Sequence, residues 1–266
     1  GNPWNDQGAM QIRDSSNVSV RNSEFEQVHT AITHLDNNGL TISGNYIHDL
    51  RMDGIRGGGS SNVVISKNYL TDFYKYGDDH QDAIQFWTAN TTSSAQNITV
   101  SDNIYIRGKG SPVQGVFMGD ENKSAPYLNV TVDGNLLIGS LYHGLTVATA
   151  KDVVVTDNDV IGYSDVKSWI RVTDSQRVSE TYNTTTLFKN ENNSSFTEVG
   201  NKTVAATSDA MALVRAWIAE HPGDINAFHP EVLQLLGVTQ KPWISTMARS
   251  GVGASVLTGG PPVRRG

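Results

Sequence analysis

The sequence predicts an all-β fold, a single right-handed parallel β-helix of about seven coils with a short C-terminal α-helical appendage. The first observation is a phrase of alternating apolar residues that recurs five times and ends at Asn45, Asn68, Asn103, Asn135 and Asn158. These asparagines are 23, 35, 32 and 23 residues apart, and a strand-like phrase at such a period is typical of a solenoid. The second is composition, because 25 glycines and only 38% hydrophobic residues fit a thin fold with many turns.

Each repeat is predicted to supply two strands and a third short segment. Alternate residues of a strand point to the same side, so the apolar positions mark the residues that face the core. In the first strand these are Ile12, Ile32, Ile55, Ile84, Val116, Leu145 and Ile170. In the second they are Val18, Val20, Leu40, Ile42, Val63, Ile65, Ile98, Val100, Val130, Val132, Val153, Val155 and Val178. The third segment carries Phe25, Ile47, Leu70, Tyr105, Leu137 and Val160.

The recurring asparagine is predicted to sit at a tight turn, with its side-chain amide bonded to backbone groups of the neighbouring coils. Asparagine also tolerates the left-handed backbone conformation that a sharp corner needs. The first coil carries Ser23 at this position, as expected near the end of a solenoid.

The repeat pattern decays after Val178, and the polar residues 182–207 are expected to form a last irregular coil and a linker. Ser208 is predicted to cap a helix over 209–220, with one apolar face formed by Met211, Val214, Trp217 and Ile218. A second short helix is predicted over 230–236. We expect the two helices to cover the open C-terminal end of the solenoid.

The predicted organisation is therefore a β-helix over 1–206, a helical C-terminal cap or docking segment over 207–250, and a flexible tail over 251–266. Residues 1–7 resemble the middle of a coil. Because a solenoid needs a cap at each end, the native protein is expected to begin before Gly1.

Composition restricts the classes of function. A net charge of −7 argues against a general nucleic-acid binder, although a locally basic groove can still bind an anionic sugar chain. The absence of cysteine excludes disulfides and thiolate metal sites. No apolar run is long enough for insertion in a membrane. The expected location is extracellular, by secretion, or on the surface of a virion.

The loop after Leu70 gathers more acid–base groups than any other window of the sequence. Two coils are longer than the others, and their additional residues lie in connecting loops. The loop after Leu70 is one of these two loops. Its chemically active residues are Lys75, Tyr76, Asp78, Asp79, His80 and Asp82. Such a concentration predicts a site where a proton is moved.

The strand that follows this loop defines an outer face. Ile84 faces the core and side chains alternate, so the outward residues are expected to be Ala83, Gln85 and Trp87. His80 and Asp82 then lie at the mouth of this face.

Alignment of the coils extends the outer face into a groove. In register with Gln85 we predict Arg56, Phe117, Thr146 and Arg171, and in register with Asp82 we predict Asp53, Gln114 and His143. Adjacent coils lie about 4.8 Å apart, so a sugar chain along the axis contacts several of them. Guanidinium groups suit sugar carboxylates because they donate two parallel hydrogen bonds. The predicted substrate-binding residues are Trp87, Gln85, Asp53, Phe117, Gln114, His143 and Arg171.

The segment Tyr-Gly-Asp-Asp-His-Gln at 76–81 resembles the Tyr-Gly-x-Asp-Pro-His-Glu loop of mannuronan C5-epimerases and related parallel β-helix polysaccharide lyases. Asp78 and His80 match the Asp-x-His of that loop. The resemblance covers the coils of residues 10–178 and implies a β-helix that acts on a polysaccharide of uronic acids. The string His-x-Asp-x-Ile-Gln at 80–85 is also similar to β-helix proteins of the broad pectate-lyase-like superfamily, whose activities vary.

The sequence departs from this loop at two points. Asp79 replaces the proline, and Tyr76 is one residue closer to His80 than the tyrosine of that family is to its histidine. Tyr74 or Lys75 also fits the shifted position, so the assignment of the tyrosine stays open.

The chemistry that suits this loop is removal of the C5 proton of a uronic acid, which is weakly acidic until its carboxylate is neutralised. We predict His80 as the base and Tyr76 as the acid. The other predicted catalytic residues are the carboxylate-neutralising Lys75 and Arg56, together with Asp78 and Asp82. Reprotonation from the opposite face gives an epimer, whereas expulsion of the 4-O-linked sugar gives a lyase product. The sequence leaves both outcomes open.

Other interpretations remain open from the sequence. Asp79 and Asp82 suit hydrolysis as acid and base. Asp-rich turns suit a calcium ion near Asp78 and Asp79, and Ca²⁺ is the one cofactor that the sequence raises. A non-enzymatic alternative is a tail-spike or receptor-binding protein of a phage or phage-like particle. Such a protein binds a polysaccharide and forms a homotrimer or docks onto another subunit through its C-terminal segment.

Overall fold

The strands of the molecule form three parallel sheets, and the computed structural model describes residues 7–119, 125–222 and 225–238. Sheet A contains β1 (Met10–Arg13), β4 (Ile32–Leu35), β7 (Ile55–Gly58), β10 (Asp82–Trp87), β13 (Gln114–Met118), β16 (Tyr142–Ala148) and β19 (Ser168–Thr173). Sheet B contains β2 (Ser16–Arg21), β5 (Asn38–Ser43), β8 (Ser61–Ser66), β11 (Gln96–Ser101), β14 (Tyr127–Asp133), β17 (Ala150–Thr156), β20 (Gln176–Thr181) and β22 (Ser194–Val199). Sheet C contains β3 (Glu24–Glu26), β6 (Tyr46–Leu50), β9 (Tyr69–Phe73), β12 (Ile104–Ile106), β15 (Leu136–Ile138), β18 (Asp159–Ile161), β21 (Thr184–Thr185) and β23 (Lys202–Thr203).

Each full coil supplies one strand to each sheet in turn, and every strand pairs in parallel with the strand of the next coil. The inward aliphatic side chains of all three sheets pack into one continuous core along the axis. Because the same kind of residue recurs at the same place in each coil, each coil buries its apolar surface against its neighbours. The predicted parallel β-helix is confirmed.

The core of sheet A is one row of stacked aliphatic residues. It runs, as predicted, through Ile32, Ile55, Ile84, Val116, Leu145 and Ile170. The first coil differs, because Met10 pairs with Ile32 whereas Ile12, although it points inward, pairs with His34. His34 is a fully buried polar residue at an aliphatic position, so the sequence pattern concealed the correct alignment.

A row of small residues immediately precedes this aliphatic row. It includes Ala83, which was predicted to face outward. Ala83 is only 1% exposed and packs in the core instead of facing outward. In the preceding coil, a Cβ on Gly54 would lie 2.8 Å from Leu70 Cδ2 and 2.5 Å from the carbonyl oxygen of Ala83. The corner between sheets C and A therefore accepts only small side chains. Gln85 and Trp87 lie half-buried further along β10.

Buried asparagines connect the coils at the corner between sheets B and C. Asn103 is typical, because its Nδ2 donates to the carbonyl oxygen of Ile65 and to Oδ1 of Asn135, both at 2.9 Å. Its Oδ1 accepts from the backbone N–H of Asn68 at 3.1 Å. This asparagine ladder includes all five predicted residues and continues to Asn183 and Asn201. Ser23 begins it by donating its N–H to Asn45.

At this corner, the residue before each asparagine adopts the left-handed backbone conformation. Lys67 has a φ of 56° and Asp102 a φ of 53°, and Gly44 and Gly134 also have positive φ. The prediction that the asparagine itself adopts this conformation was wrong. The preceding residue makes the turn, and the asparagine is left to direct its amide into the corner.

The apolar core ends where a carboxyl replaces an aliphatic side chain. Glu180 pairs with Val155 and is fully buried at a position that valines occupy in the coils before it. Its Oε2 accepts from Nδ2 of Asn190 at 2.7 Å and of Asn201 at 3.2 Å. Burial raises the pKa of Glu180 to about 7. Strands β21 to β23 then form a final short coil within the segment predicted to be irregular.

Two helices pack against the outer face of sheet C, so the prediction that they cover the end of the β-helix was wrong. Helix α1 (Ala210–Glu220) is capped by Asp209 instead of Ser208, and α2 (Pro230–Leu235) begins after His229. Their buried apolar residues contact outward side chains of sheet C, which are Tyr46, Tyr69, Ile104, Ile106, Leu136 and Ile138. Sheet C is apolar on both faces, and the outer face is removed from water only when the helices lie on it.

No helix in the described part of the chain is long and apolar enough to span a membrane. The predicted tail over 251–266 and the end of the helical segment at 239–250 lie outside the described residues. The same holds for residues 1–6.

We expect Asn103→Ala to lower the free energy of unfolding by about 2–4 kcal/mol, because it leaves several buried donors and acceptors of adjacent coils unsatisfied. Chemical denaturation followed by circular dichroism measures this change. Asn97→Gly is the matched control, since Asn97 belongs to an exposed asparagine row and its φ of 56° is readily adopted by glycine. Equal losses in the two variants would contradict the role of the buried ladder.

Candidate functional site

The candidate site lies on the outer face of sheet A, beside the loop that joins β9 to β10. The loop covers residues 74–81, and most of its side chains are exposed. Strand β10 begins at Asp82, so the end of the loop is held at the edge of the sheet. The polar residues of the loop therefore meet the outward rows of the neighbouring coils.

His80 lies between a buried carboxylate and a buried amide. Its side chain is 59% exposed, and its Nδ1 is 3.2 Å from Oδ2 of Asp82, whose side chain is 0% exposed. Its Nε2 is 2.6 Å from Nε2 of Gln114, which pairs with Asp82 in the predicted register. The hydrogen bond with Asp82 raises the pKa of His80 above its usual value, although burial and the charge of Lys75 oppose this.

Asp53 is a second buried carboxyl beside Asp82. Its Oδ1 accepts from the backbone N–H of Asp82 at 2.9 Å, and its Oδ2 accepts from Nη1 of Arg56 at 3.0 Å. Burial and the neighbouring Asp82 raise the pKa of Asp53 to about 6, despite these hydrogen bonds. Burial also raises the pKa of Asp82, and the bond from His80 opposes it. Ionisation of both carboxyls is therefore unfavourable unless His80 is protonated.

The first half of the loop is held by Arg51, which the sequence analysis did not identify. Nε of Arg51 is 2.9 Å from Oδ2 of Asp79, and its guanidinium lies 5.0 Å from the centre of the Tyr76 ring. Tyr76 is 57% exposed and its ring lies against the guanidinium of Arg51, so the structure does not bring it onto His80. Asp78 is exposed. Arg51 directly follows β6. Its part in the site is recognisable only from its contact with Asp79 in the folded chain.

A calcium ion near Asp78 and Asp79 does not fit this arrangement. Calcium needs several oxygen ligands, but the carboxylate of Asp79 is already paired with Arg51. Among the described residues, no cluster of three or more His, Cys, Asp or Glu ligand atoms includes either aspartate.

The outward row beside Gln85 has the predicted register. Gln85 pairs with Arg56 and Phe117, and the row continues through Thr146 to Arg171. Thr146 is buried, whereas the others are half-buried. The ring of Trp87 lies over Gly58, its partner in the preceding coil, where a Cβ would be 2.7 Å from Trp87 Nε1. The row thus places one guanidinium on each side of His80 along the axis.

His143 lies at a bulge on the edge of β16 that pairs with β19. On the other edge Val116 pairs with Leu145, as the predicted alignment of Gln114 with His143 requires. The bulge between His143 and Leu145 shifts the pairing with β19, since His143 pairs with Trp169 and Leu145 pairs with Ile170. The residue at the bulge is Gly144, and a Cβ there would lie 2.3 Å from Val160 Cγ1 inside the core. His143 remains close to the site. Burial, with the charges of nearby Arg171 and His80, lowers its pKa to about 4.

The bulge creates an aromatic surface that the sequence analysis missed, here termed the aromatic shelf and formed by Phe117, Tyr142, His143 and Trp169. The ring of His143 lies 5.1 Å from that of Phe117 and 5.4 Å from that of Trp169. Tyr142 is 5.5 Å from Trp169, and Nζ of Lys189 lies 4.6 Å above the Trp169 ring. Trp169 directly precedes the inward-facing Ile170. The alternation of side chains along a strand therefore predicts that Trp169 faces outward, and this signal could have identified it as a surface aromatic residue.

The arrangement provides one exposed imidazole that can move a proton and several cations that can bind an anion. The side chains of Asp53 and Asp82 are only 2% and 0% exposed, and each is paired with a more exposed residue, Arg56 and His80 respectively. Lys75 is exposed and close enough to lower the pKa of His80.

Comparison with known proteins agrees with this architecture. Residues 4–161, more than half of the chain, match the family model described as right handed beta helix region. The chain therefore belongs to this family, and its coils form a right-handed parallel β-helix. No curated protein sequence matches the chain.

One similar solved structure is a protein titled "Glycoside hydrolase", with a TM-score of 0.41 and 10% sequence identity. The match covers 79% of this chain and 40% of that chain, so the present chain spans less than half of that protein's length. A similarity of this size carries no inference about activity.

We expect Asp82→Asn to lower the pKa of His80, because the variant removes the carboxylate that stabilises the imidazolium. The neutral imidazole is the form that accepts a proton, so the pH below which His80 is inactive as a base moves down with this pKa. NMR titration of the His80 ring measures it directly. The His221 resonance is the internal control, and an unchanged His80 pKa would refute the coupling to Asp82.

Proposed function

We propose that this chain acts on an acidic, uronic-acid-containing polysaccharide by removing the C5 proton, as a lyase or a C5-epimerase. The observation that carries the proposal is His80, an exposed imidazole whose basicity is raised by a buried aspartate on a wall with several cations. A general base must be accessible to substrate and have a pKa near the working pH. Among the groups assembled at this site, His80 meets both requirements best.

In the proposed reaction, Nε2 of His80 removes the C5 proton after the amide of Gln114 has moved away from it. Gln114 is in position to donate to this nitrogen while the Nδ1 proton faces Asp82. In elimination, the electron pair of the C5–H bond forms the C4–C5 double bond, and the C4–O bond breaks. The leaving oxygen takes a proton from an acid. In epimerisation, C5 takes a proton on its opposite face.

The sugar carboxylate is proposed to bind to Arg56 and Lys75, with Arg51 as an additional cation. Arg56 is bonded to Asp53 but keeps 30% of its side chain exposed. Neutralising the carboxylate stabilises the carbanion that forms at C5. Tyr76 stays the proposed acid, and in this role its ring must leave the guanidinium of Arg51 to reach a substrate.

Hydrolysis by Asp79 and Asp82 is less well supported by this geometry. Hydrolysis of a glycosidic bond needs two carboxyl groups that flank the bond. Asp79 forms an ion pair with Arg51, and the side chain of Asp82 is 0% exposed. Neither carboxyl is presented to a sugar.

A second candidate function is glycan binding without turnover, as in a tail-spike or receptor-binding protein. The aromatic shelf favours it, because stacked rings bind the apolar faces of sugars whether or not a reaction follows. From Arg56 to Arg171 the outer row spans about 19 Å, enough to contact several sugar units. Either function places the protein outside the cell or on a virion. Homotrimer formation or docking through the C-terminal segment belongs to this second candidate.

The deciding experiment is incubation of the chain with alginate, polygalacturonate, glucuronan and capsular glycans, with and without Ca²⁺. Ultraviolet absorbance detects the 4,5-unsaturated product of a lyase, and proton NMR detects epimerisation. We expect His80→Ala to lower turnover at least about 100-fold while glycan binding remains. His229→Gln, far from sheet A, is the matched control. Turnover that is unaffected by His80→Ala would refute the mechanism, and binding without turnover would favour the second candidate.

We also expect Trp169→Ala to raise the Kd for the bound glycan about tenfold, which corresponds to about 1.4 kcal/mol, because it removes the largest ring of the shelf. Isothermal titration calorimetry measures the change. Tyr182→Ala is the control, since Tyr182 is 60% exposed and lies outside sheet A. A shift of the same size in both variants would exclude the shelf as the binding surface.

A further inference from the structure

A second cluster of ligand-type side chains lies on sheet C, away from the candidate active site. Glu24 and Glu26 lie two residues apart on β3, so both side chains point to the outer side of the sheet. His48 on β6 pairs with Glu26 and points to the same side. One ligand atom from each residue lies within 4.8 Å of the other two.

We propose that Glu24, Glu26 and His48 bind a divalent transition-metal ion, with Zn²⁺ as the best-fitting ion, and that this ion joins the first coil to the second. The ligand set of one imidazole nitrogen and two carboxylates suits Zn²⁺, whereas Ca²⁺ and Mg²⁺ prefer oxygen ligands alone. Three protein ligands also leave a position for water on the ion. The site is independent of the function proposed for sheet A.

The orientation of His48 supports this site. Its Nδ1 lies 2.6 Å from Oδ2 of Asp49, a carboxylate outside the three ligands, and its Nε2 lies 2.9 Å from Oε1 of Glu24. A histidine that binds a metal generally donates its other N–H to such a carboxylate, which fixes the tautomer and the direction of the ring. Tyr46 stacks on the imidazole at 4.0 Å, and the side chain of His48 is only 9% exposed.

The surrounding charge also favours a cation. Asp49, hydrogen-bonded to His48, adds a third carboxylate beside those of Glu24 and Glu26. A divalent ion between the glutamates would offset part of that negative charge.

The competing occupant of the space between His48 and Glu24 is a proton. Both ring nitrogens of His48 face a carboxylate oxygen, Nδ1 that of Asp49 and Nε2 that of Glu24, so each is in position to carry a proton. A metal ion must displace the proton on Nε2, so binding should release about one proton and weaken as the pH falls.

The test is calorimetric titration of the chain with Zn²⁺ in two buffers of different ionisation enthalpy. We expect one ion per chain, release of about one proton, and a higher midpoint of thermal unfolding with Zn²⁺. Ca²⁺ should bind at least about tenfold more weakly. No saturable binding of Zn²⁺, or equal affinity for Ca²⁺, would overturn the proposal.

Variants assign the binding to this cluster. Glu26→Gln should weaken Zn²⁺ binding at least about tenfold, and Asp49→Asn should weaken it about 10- to 100-fold by releasing the ring of His48. Glu198→Gln is the matched control, because Glu198 is an exposed glutamate on the edge strand β22 at the other end of the sheets. Equal affinity in Glu26→Gln and Glu198→Gln would place the ion elsewhere.

A spectroscopic measurement on the unmodified chain keeps the proposal testable if a variant does not fold. With Zn²⁺ added, the ¹⁵N resonance of His48 Nε2 should move to that of a metal-bound nitrogen, while Nδ1 stays protonated. A ring that keeps protons on both nitrogens in excess Zn²⁺ at neutral pH would show that the proton is the native occupant.

Discussion

The asparagine ladder at the corner between sheets B and C is the interaction on which the rest of the structure depends. Each side-chain amide satisfies buried backbone groups of its own corner and of an adjacent coil, and those groups have no access to water. A shift of one coil against another by a single residue would break these bonds. The ladder therefore fixes the register in which strands of successive coils meet. All the outward rows follow from that register.

The candidate site is a consequence of register combined with one irregular loop. Asp53, Asp82 and Gln114 are about thirty residues apart in sequence, yet they meet because their coils are aligned. The loop then places the exposed His80 over these buried groups. Burial separates the roles of the side chains, since the buried Asp82 raises the pKa of the exposed His80 and the buried Asp53 accepts a hydrogen bond from Arg56. The ladder and the small residues at the corner fix the positions of the strands that carry these groups.

The three sheets have different outer surfaces, and each has a different consequence. Sheet A carries the imidazole, the cations and the aromatic shelf. Sheet C is apolar over its middle coils, where α1 and α2 cover it, and becomes acidic at its first coils around His48. Sheet B is lined by exposed asparagines and ends beyond the buried Glu180, where the aliphatic rows stop. A repeated core thus supports unrelated surfaces, because outward residues do not affect stacking.

The sequence by itself determined the β-helix, because the spacing of Asn45 to Asn158 and the aliphatic rows are local patterns repeated in every coil. It also determined the register of Gln85 with Arg56, Phe117 and Arg171, and it located His80 and Asp82. Only the tertiary structure decided the rest. The pairing of Tyr76 and Asp79 with Arg51, the inward position of Ala83, the bulge at Gly144 and the position of the helices on sheet C all depend on contacts between distant segments. Such contacts leave no period in the sequence, because each occurs once and is decided by the shape and charge of the partner.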